Sequence, residues 1–188
     1  MIIAGVDEAG RGSLVGPVVA GAVIMEEDLL VSYPYIRDSK CLSPVQREKA
    51  FDYICKKAMS VAVGVVSHHF IDQYNILNAS LEAMRRAVLG LSLMPDLLLV
   101  DGNHKFPISI PQRCIKKGDK INKLISAASI VAKVYRDRIM IAYHKKYPEY
   151  NIARNKGYPT KEHKEKLKIY GPSPVHRLSY RGVGKIEA

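Results

Sequence analysis

The stretch IIAGVDEAGRGSLVGPVVAGAVIM, residues 2–25, decides the fold of this chain. Its two ends, IIAGV at 2–6 and PVVAGAVIM at 17–25, are rich in valine and isoleucine and are bounded by glycine and proline. That pattern is typical of buried β-strands. The connection at 7–16 is polar and holds three glycines, so it does not belong to the core. We therefore predict two buried strands and a glycine-rich connection that opens with Asp7 and Glu8.

Helical and strand patterns alternate along the rest of the chain. Helices are predicted at 44–59, 79–91, 121–141 and 160–169, and further strands at 60–67, 97–100 and 113–117. Together with the first two strands, they predict an α/β fold, with a mixed five-stranded sheet flanked by helices on both faces. The chain has 188 residues without a repeat or an obvious linker. We therefore expect a single domain over residues 1–188, with a basic helical C-terminal extension that begins at about residue 143.

The composition excludes several classes of protein. Hydrophobic residues make up 47% of the chain and charged residues 25%, which is typical of a globular protein. The apolar runs fall far short of the roughly 18 residues that a membrane-spanning helix needs, and no signal peptide is recognisable. The three cysteines, Cys41, Cys55 and Cys114, form no CxxC pair. We therefore predict neither a structural zinc site nor a disulfide, and we expect a reducing, cytoplasmic location.

The charge of the chain is concentrated in its last third. The formal net charge is +11, and residues 131–188 hold 14 basic and 5 acidic residues, against 15 and 13 in residues 1–130. A one-sided basic surface favours binding to a polyanion, because each phosphate contact releases counterions. A solvated basic face on an ordinary enzyme is the alternative interpretation.

Acidic residues follow three of the predicted strands. Asp7 and Glu8 follow the first, Asp101 follows the apolar run LLLV, and Asp119 follows the segment RCIKKG. Ligands of α/β sheets bind beyond the carboxyl ends of the strands, so these side chains converge if the strands are neighbours. Like charges at close range need a cation or raised pKa values, and Mg²⁺ or Mn²⁺ suits oxygen ligands. Taken singly, each acid could instead be an ordinary turn or helix-cap residue.

The glycine-rich connection has its own chemical use. Gly10 and Gly12 let the bare backbone approach a ligand closely, and Arg11 between them can meet a phosphate. A simple tight turn is the alternative.

The motif DEAGRGSLVGP at residues 7–17 resembles the signature of type 2 ribonuclease H, ribonuclease HII. Further matching blocks follow in the family's order, namely DSK at 38–40, YNILN at 74–78, VDGN at 100–103, KGD at 117–119, SAASIVAKVYRD at 126–137 and KGYPT at 156–160. The blocks span nearly the whole chain and are highly specific together. The family's loop usually reads GRGP where this chain has Ser13, and we expect only a minor effect on loop rigidity.

This resemblance implies a ribonuclease H-like fold and a metal-dependent endonuclease. The family cleaves RNA within RNA–DNA hybrids and single ribonucleotides embedded in duplex DNA, on the 5′ side, leaving a 3′-hydroxyl and a 5′-phosphate. The resemblance implies a two-metal site for Mg²⁺ or Mn²⁺ on the catalytic acids Asp7, Glu8, Asp101 and Asp119. It also implies that substrate is bound by Gly10, Arg11, Gly12 and Tyr158, and we expect Lys40 and Lys117 to hold phosphates.

Several alternatives stay open at this level. Asp137 also lies in a matching block and competes with Asp119 for the fourth acid, although Lys133, four residues earlier, would pair with Asp137 on a helix. An acid buried against a lysine, or four acids far apart, would contradict the nuclease assignment. Type 3 ribonuclease H and a non-catalytic nucleic-acid binding protein are the competing functions.

Minor expectations complete the prediction. The six histidines show no metal-ligand spacing, so we interpret them as surface residues or phosphate contacts. The final stretch GVGKIEA shows no sliding-clamp motif, so we predict no clamp partner, and a monomer is the default expectation.

Overall fold

The computed structural model describes residues 1–184 and contains one mixed, five-stranded sheet. The strands are β1 (Ile3–Ala9), β2 (Val18–Ile24), β3 (Ser60–Val66), β4 (Leu97–Asp101) and β5 (Gln112–Ile115). Their order across the sheet is β3-β2-β1-β4-β5. The pairs β1/β2 and β2/β3 are antiparallel, whereas β1/β4 and β4/β5 are parallel. The predicted mixed sheet is thus confirmed, with β1 at its centre.

Helices cover both faces of this sheet. They are α1 (Glu27–Ser32), α2 (Pro44–Lys57), α3 (His68–Leu89), α4 (Gly118–Ile121), α5 (Lys123–Lys146), α6 (Ile152–Asn155) and α7 (Lys161–Tyr170), with short 3₁₀ turns at Ser39–Cys41 and Pro148–Tyr150. Helix α3 packs on one face of the sheet, and α2 and α5 pack on the other. No helix within residues 1–184 has both the length and the apolar character that crossing a membrane would require.

The helix starts follow from capping residues in the sequence. Ser43 and Gln46 form the predicted capping box at α2, and the side chain of Asn122 accepts backbone hydrogen bonds at the start of α5. Thr160 caps α7 in the same way. Because a cap satisfies otherwise unpaired N–H groups, each of these helices begins where its cap lies.

The first strand is longer than the hydrophobic pattern indicates. We predicted that Asp7 and Glu8 follow the strand, but they lie within β1, paired opposite Gly21 and Ala20 of β2. Pairing with a long neighbouring strand satisfies the backbone whatever the side chains are, so β1 continues through the acidic pair. The predicted end of the strand was therefore wrong, because β1 runs on through both acids to Ala9. Both acids still lie near the carboxyl end of the strand.

Two other boundaries also differ from the prediction. The segment before residue 79 is helical and belongs to α3, which is interrupted at Asn75 by a positive φ of 71°. The side chain of Asn75 accepts a hydrogen bond from the backbone N–H of Asn78 and so caps the second half of the helix. Strand β5 ends at Ile115, and Asp119 lies in the first turn of α4 rather than directly after a strand.

Helix α5 connects the sheet to the C-terminal residues. Its first half packs so closely on the sheet that a β-carbon at Gly5 would overlap the carbonyl of Leu124, and one at Gly21 would lie 2.5 Å from the carbonyl of Ala128. Its second half contributes Met140 to a separate apolar cluster with residues of the C-terminal segment. One rigid helix therefore fixes the C-terminal residues relative to β1 and β2.

The histidines were expected to be surface residues or phosphate contacts. A surface position is wrong for His68, which is buried, and for His163 and His176, which are fully buried. The backbone N–H of Ser173 donates to Nδ1 of His176 at 2.9 Å, so the proton of this ring is on Nε2. That nitrogen lies 3.1 Å from Nε2 of His163, whose Nδ1 then donates to the carbonyl of Tyr158 at 2.9 Å. Both rings are neutral in this arrangement, and burial lowers the pKa of His176 to about 4.

We expect the free energy of unfolding to fall as the pH drops from 6.5 to about 4. In that range His176 binds a proton in the unfolded chain but stays neutral in the folded protein. A lower pH therefore favours unfolding. In a His176→Gln variant the pH-dependent loss should be smaller by roughly 2–3 kcal/mol. Urea denaturation at several pH values measures it, with the exposed His104→Gln as the control that keeps the wild-type slope. Equal slopes for the wild type and His176→Gln would contradict the prediction.

Candidate active site

A cavity of about 580 Å³ opens at the carboxyl ends of β1 and β4. It is lined by Asp7, Glu8, Ala9, Gly10, Arg11, Gly12, Ser39, Lys40, Asp101, Asp119, Ser129, Lys133 and Tyr158. Every site residue predicted from the sequence lines this cavity except Lys117. Lys117 is exposed and has a left-handed backbone conformation that leads into α4, so the structure does not bring it to the cavity.

The sheet topology brings the four acids together. Asp7 and Glu8 lie on β1, and Asp101 is the last residue of β4, the parallel neighbour of β1. Strand β5 runs parallel on the other side of β4, and the chain that leaves it carries Asp119 into α4. Parallel strands end at the same edge of a sheet, so residues distant in the sequence share one site.

Asp7 is buried in the cavity, with 4% of its surface exposed, the same fraction as for Asp119. Burial raises its pKa well above the ordinary value, and the neighbouring charges of Glu8 and Asp101 raise it further. The Ser129 hydroxyl beside it works against this rise. Ser129 in turn shares a hydrogen bond of 3.0 Å with Ser39. The folded chain therefore disfavours a negative charge at Asp7 unless a positive charge is supplied.

Glu8 has one oxygen paired and one unpaired. Its Oε1 accepts a hydrogen bond from Nη1 of Arg11 at 3.2 Å, and its Oε2 is buried without a hydrogen-bond partner among the described residues. Burial raises the pKa of Glu8, although Arg11 partly offsets the effect. An unpartnered buried carboxylate oxygen is costly, and a bound cation is one way to remove that cost.

Asp101 and Asp119 are held by the start of α4. The backbone N–H of Gly118 donates to Oδ1 of Asp101 at 2.6 Å, and burial together with the charge of Asp119 raises the pKa of Asp101. Oδ2 of Asp119 accepts a hydrogen bond from Nζ of Lys40 at 3.1 Å. The side chain of Lys40 is 75% exposed. Asp119 is buried, but its partner is a mostly exposed side chain, so the lysine of this pair is not itself buried.

The competing fourth acid lies outside the cavity. Asp137 accepts a hydrogen bond from Nζ of Lys133 at 2.7 Å and lies 3.6 Å from Nη1 of Arg47. These two cations compensate its charge, as the spacing of Lys133 and Asp137 on α5 predicts. Asp119 lines the cavity, and Asp137 does not.

The donor set suits a hard divalent cation. Within residues 1–184 no three acidic, histidine or cysteine side chains are already arranged as a closed metal site. The cavity nevertheless offers four carboxylates, three with raised pKa values and one with a buried, unpartnered oxygen. Mg²⁺ and Mn²⁺ prefer such oxygen ligands, so the residues fit these ions.

The glycine loop, residues 10–17, and Tyr158 line the same cavity. A β-carbon at Gly12 would lie 3.8 Å from Cε1 of Tyr158, so a side chain at this position would reach the aromatic ring, and glycine leaves the space between them open. Gly10 has a φ of 98°, and a β-carbon there would collide with the guanidinium of Arg136. The ammonium of Lys133 lies 5.7 Å from the centre of the Tyr158 ring. The wall opposite the acids is therefore polar backbone and an aromatic face.

The sequence alone did not single out Ser39, Ser129 or Lys133 as cavity residues. All three fall inside blocks that carry the family resemblance, at 38–40 and 126–137. Their residue types gave no local signal, because serines and lysines on helices are ordinarily solvent-exposed.

Comparisons with known proteins give a consistent result. The family described as Ribonuclease HII matches residues 4–183. The Ribonuclease HII of Syntrophus aciditrophicus (strain SB) is 52% identical over 180 residues, which cover 96% of this chain and 84% of that protein. The crystal structure of the ribonuclease H2 from Pyrococcus horikoshii OT3 superposes with a TM-score of 0.85 at 31% identity, covering 100% of this chain and 97% of the other.

Two further solved structures bear on partners and on the alternatives. RNase HII in the PCNA:RNase HII complex from Archaeoglobus fulgidus matches with a TM-score of 0.78 at 28% identity, over 90% of this chain and 88% of the other. Bst-RNase HIII in complex with Mn²⁺ matches with a TM-score of 0.65 at 16% identity, over 90% of this chain and 70% of the other. The second likeness is one of fold alone.

The sheet, its flanking helices and these matches define an enzyme of the ribonuclease H class. Within that class the chain belongs to the ribonuclease HII family. Both alternative functions, a type 3 enzyme and a non-catalytic binding protein, are therefore wrong. Residues 185–188, part of the stretch that was searched for a clamp motif, lie outside the described residues.

We expect Asp7→Asn to stabilise the metal-free protein. At neutral pH the folded chain holds this carboxylate in a buried site beside two other acids, which lowers the free energy of unfolding. An amide of the same shape removes that cost, so the free energy of unfolding should rise by about 1–3 kcal/mol. Urea denaturation in a chelator measures the change, with the exposed Asp28→Asn as control. A destabilised Asp7→Asn protein would argue against strain among the acids.

Proposed function

We propose that this chain cleaves the RNA strand of RNA–DNA hybrids, and single ribonucleotides embedded in duplex DNA, on the 5′ side of the ribonucleotide. The products are a 3′-hydroxyl and a 5′-phosphate. One observation carries the proposal: four carboxylates, a bare glycine loop and Tyr158 line the same cavity. The carboxylates suit phosphodiester hydrolysis, and the glycine loop and Tyr158 suit recognition of a ribose.

Asp7, Glu8, Asp101 and Asp119 would hold two Mg²⁺ or Mn²⁺ ions. When bound, such ions lower the pKa of an attacking water and stabilise charge on the departing 3′ oxygen. Because Asp7 lies on the central strand β1, it would be the principal ligand of this site. Lys40 holds the outer oxygen of Asp119 and is exposed enough to move to a substrate phosphate.

Recognition of ribose rests on the wall opposite the acids. RNA differs from DNA by the 2′-hydroxyl, which both donates and accepts hydrogen bonds. The backbone groups of Gly10, Arg11 and Gly12 can pair with that hydroxyl, because no side chain at the two glycines keeps the substrate away. The Tyr158 ring offers a flat face for the sugar or base and a phenol for a hydrogen bond.

Affinity for the duplex comes from the basic C-terminal third. Residues 131–188 hold 14 basic and 5 acidic residues, and they include Lys133 at the edge of the cavity. Such charges bind phosphates without reading the sequence of bases. We propose that residues 1–188 act as one domain, because the C-terminal segment packs against the glycine loop and α5.

We expect Asp7→Asn to abolish cleavage of a DNA duplex that contains one ribonucleotide, while duplex affinity is kept or increased. Loss of the carboxylate removes a metal ligand, and it also removes a negative charge that repels phosphate. Cleavage products are mapped on a denaturing gel with and without Mg²⁺, and affinity is measured by fluorescence anisotropy. The exposed Asp52→Asn is the matched control and should cut normally. Cutting by Asp7→Asn, or metal-independent cutting by the wild type, would overturn the proposal.

Gly12→Ala tests the ribose contact. The added methyl has room in the fold, since its nearest neighbour outside the adjoining residues is Tyr158 at 3.8 Å, but it stands where the backbone should meet the 2′-hydroxyl. Because displacing a bound group by about 1 Å can cost two orders of magnitude, we expect cleavage at a single ribonucleotide to fall about 10- to 100-fold. The urea midpoint and the affinity for plain duplex DNA should be unchanged. Normal cleavage by Gly12→Ala would exclude this contact.

A further inference from the structure

The glycine loop, residues 10–17, is held mainly by the rest of the chain, although the hydroxyl of Ser13 donates to the carbonyl of Val15 at 2.9 Å within it. Its one internal backbone hydrogen bond, from the N–H of Ser13 to the carbonyl of Gly10, is long at 3.4 Å. The carbonyls that follow are satisfied from elsewhere in the chain, chiefly by the guanidinium groups of Arg136 and Arg177. Because the proposed ribose contact needs these backbone groups at fixed positions, the residues that hold the loop are part of how the site is built.

Arg177 reaches the part of the loop that faces the cavity. It is fully buried, and its guanidinium donates to the carbonyl of Arg11 at 2.9 Å and to that of Gly16 at 2.9 Å. A third hydrogen bond, of 3.1 Å, goes to the carbonyl of Pro17. Arg136 donates to the carbonyls of Val15, Pro17 and Lys156 and does not reach Arg11. The carbonyl of Arg11 is held by Arg177 together with the hydroxyl of Tyr180, to which Arg177 also donates.

The residue next to Arg177 holds the opposite wall of the cavity. Nε2 of His176 donates to His163, whose Nδ1 donates to the carbonyl of Tyr158. The adjacent residues His176 and Arg177 are therefore hydrogen-bonded toward both proposed ribose contacts. Arg177 connects directly to the glycine loop, and His176 connects through one ring to Tyr158.

The segment that carries this pair is itself anchored. Its backbone pairs with the loop through the bridge between Val15 and His176 and through the N–H of Arg177, which donates to the carbonyl of Leu14. On the far side, the carboxylate of Asp72 on α3 accepts hydrogen bonds from the N–H groups of Leu178 and Ser179. The segment is thus fixed between the loop and α3.

We propose that His176 and Arg177 are positioning residues that set the distance between the glycine loop and Tyr158, and with it the discrimination of a single ribonucleotide. This inference rests on the proposed function. A duplex with one ribonucleotide offers one 2′-hydroxyl in one register, so a displaced loop loses it. A uniform hybrid offers a 2′-hydroxyl at every step and tolerates the displacement better.

The test compares two substrates in Mg²⁺: a DNA duplex with one ribonucleotide and a uniform RNA–DNA hybrid. Arg177→Lys keeps the positive charge but loses the branched guanidinium group that donates to several carbonyls at once. We expect its kcat/KM on the single ribonucleotide to fall about tenfold more than its kcat/KM on the hybrid, because one charged hydrogen bond is lost. We also expect cuts at the hybrid to spread over more positions. A variant that was merely less stable would lose the same fraction of activity on both substrates.

Two more variants keep the test decisive if Arg177→Lys fails to fold. Asp72→Ala removes the anchor of the segment at the protein surface, and it should shift the substrate ratio in the same direction by about 2- to 5-fold. Tyr150→Phe is the matched control, because it removes only the hydroxyl that donates to the carbonyl of Gly171 and keeps the ring that packs against His176. It should leave the ratio unchanged.

The outcomes separate the two proposals. A wild-type protein that cuts neither substrate overturns the proposed function. A wild type that cuts both, with an unchanged substrate ratio in Arg177→Lys and Asp72→Ala, overturns the positioning role alone. The positioning role is also overturned if Tyr150→Phe shifts the ratio of the two kcat/KM values as much as Asp72→Ala does.

Discussion

Repulsion among like charges is the constraint around which this molecule is built. Asp7, Glu8, Asp101 and Asp119 line one cavity, and burial raises the pKa of the first three. Carboxylates left to themselves would separate, since each gains by moving into water. Here the backbone pairing of β1 with β2 and β4, and the N–H of Gly118, keep them in place. The sheet supplies the rigidity that makes an otherwise unfavourable arrangement of charges available to a cation.

Positive charge is distributed in two different ways around this acidic centre. The exposed Lys40 lies at the cavity, where the proposed function would have it contact a substrate phosphate. Arg136 and Arg177 are instead fully buried behind the glycine loop, and no carboxylate among residues 1–184 forms a salt bridge with either of them. Their hydrogen bonds go to backbone carbonyls and, for Arg177, also to the hydroxyl of Tyr180. These bonds satisfy the N–H donors but do not neutralise the charge. Buried guanidinium groups of this kind also make the loop electropositive from behind.

The C-terminal segment is more than a basic attachment to a finished domain. It pairs with the glycine loop, shares an apolar cluster with α5, and holds Tyr158 through two neutral histidines. Tyr158, and the residues that hold both it and the glycine loop, thus come from the C-terminal third of the chain, whereas the four acids of the cavity lie between residues 7 and 119. Helix α5 joins the two, because it packs on the sheet at Ala128 and reaches the C-terminal cluster at Met140.

The sequence by itself determined the elements and the chemistry of this protein. Hydrophobic period, capping residues and glycine-bounded strands indicated the sheet and its main helices, and acids after three apolar runs indicated a metal site, because these signals are local. Tertiary structure decided the rest. Pairing with β2 extended β1 through Asp7 and Glu8, the turn into α4 left Lys117 outside the cavity, and packing buried His163, His176 and Arg177. Each of these outcomes depends on contacts between segments far apart in the chain, which no local pattern records.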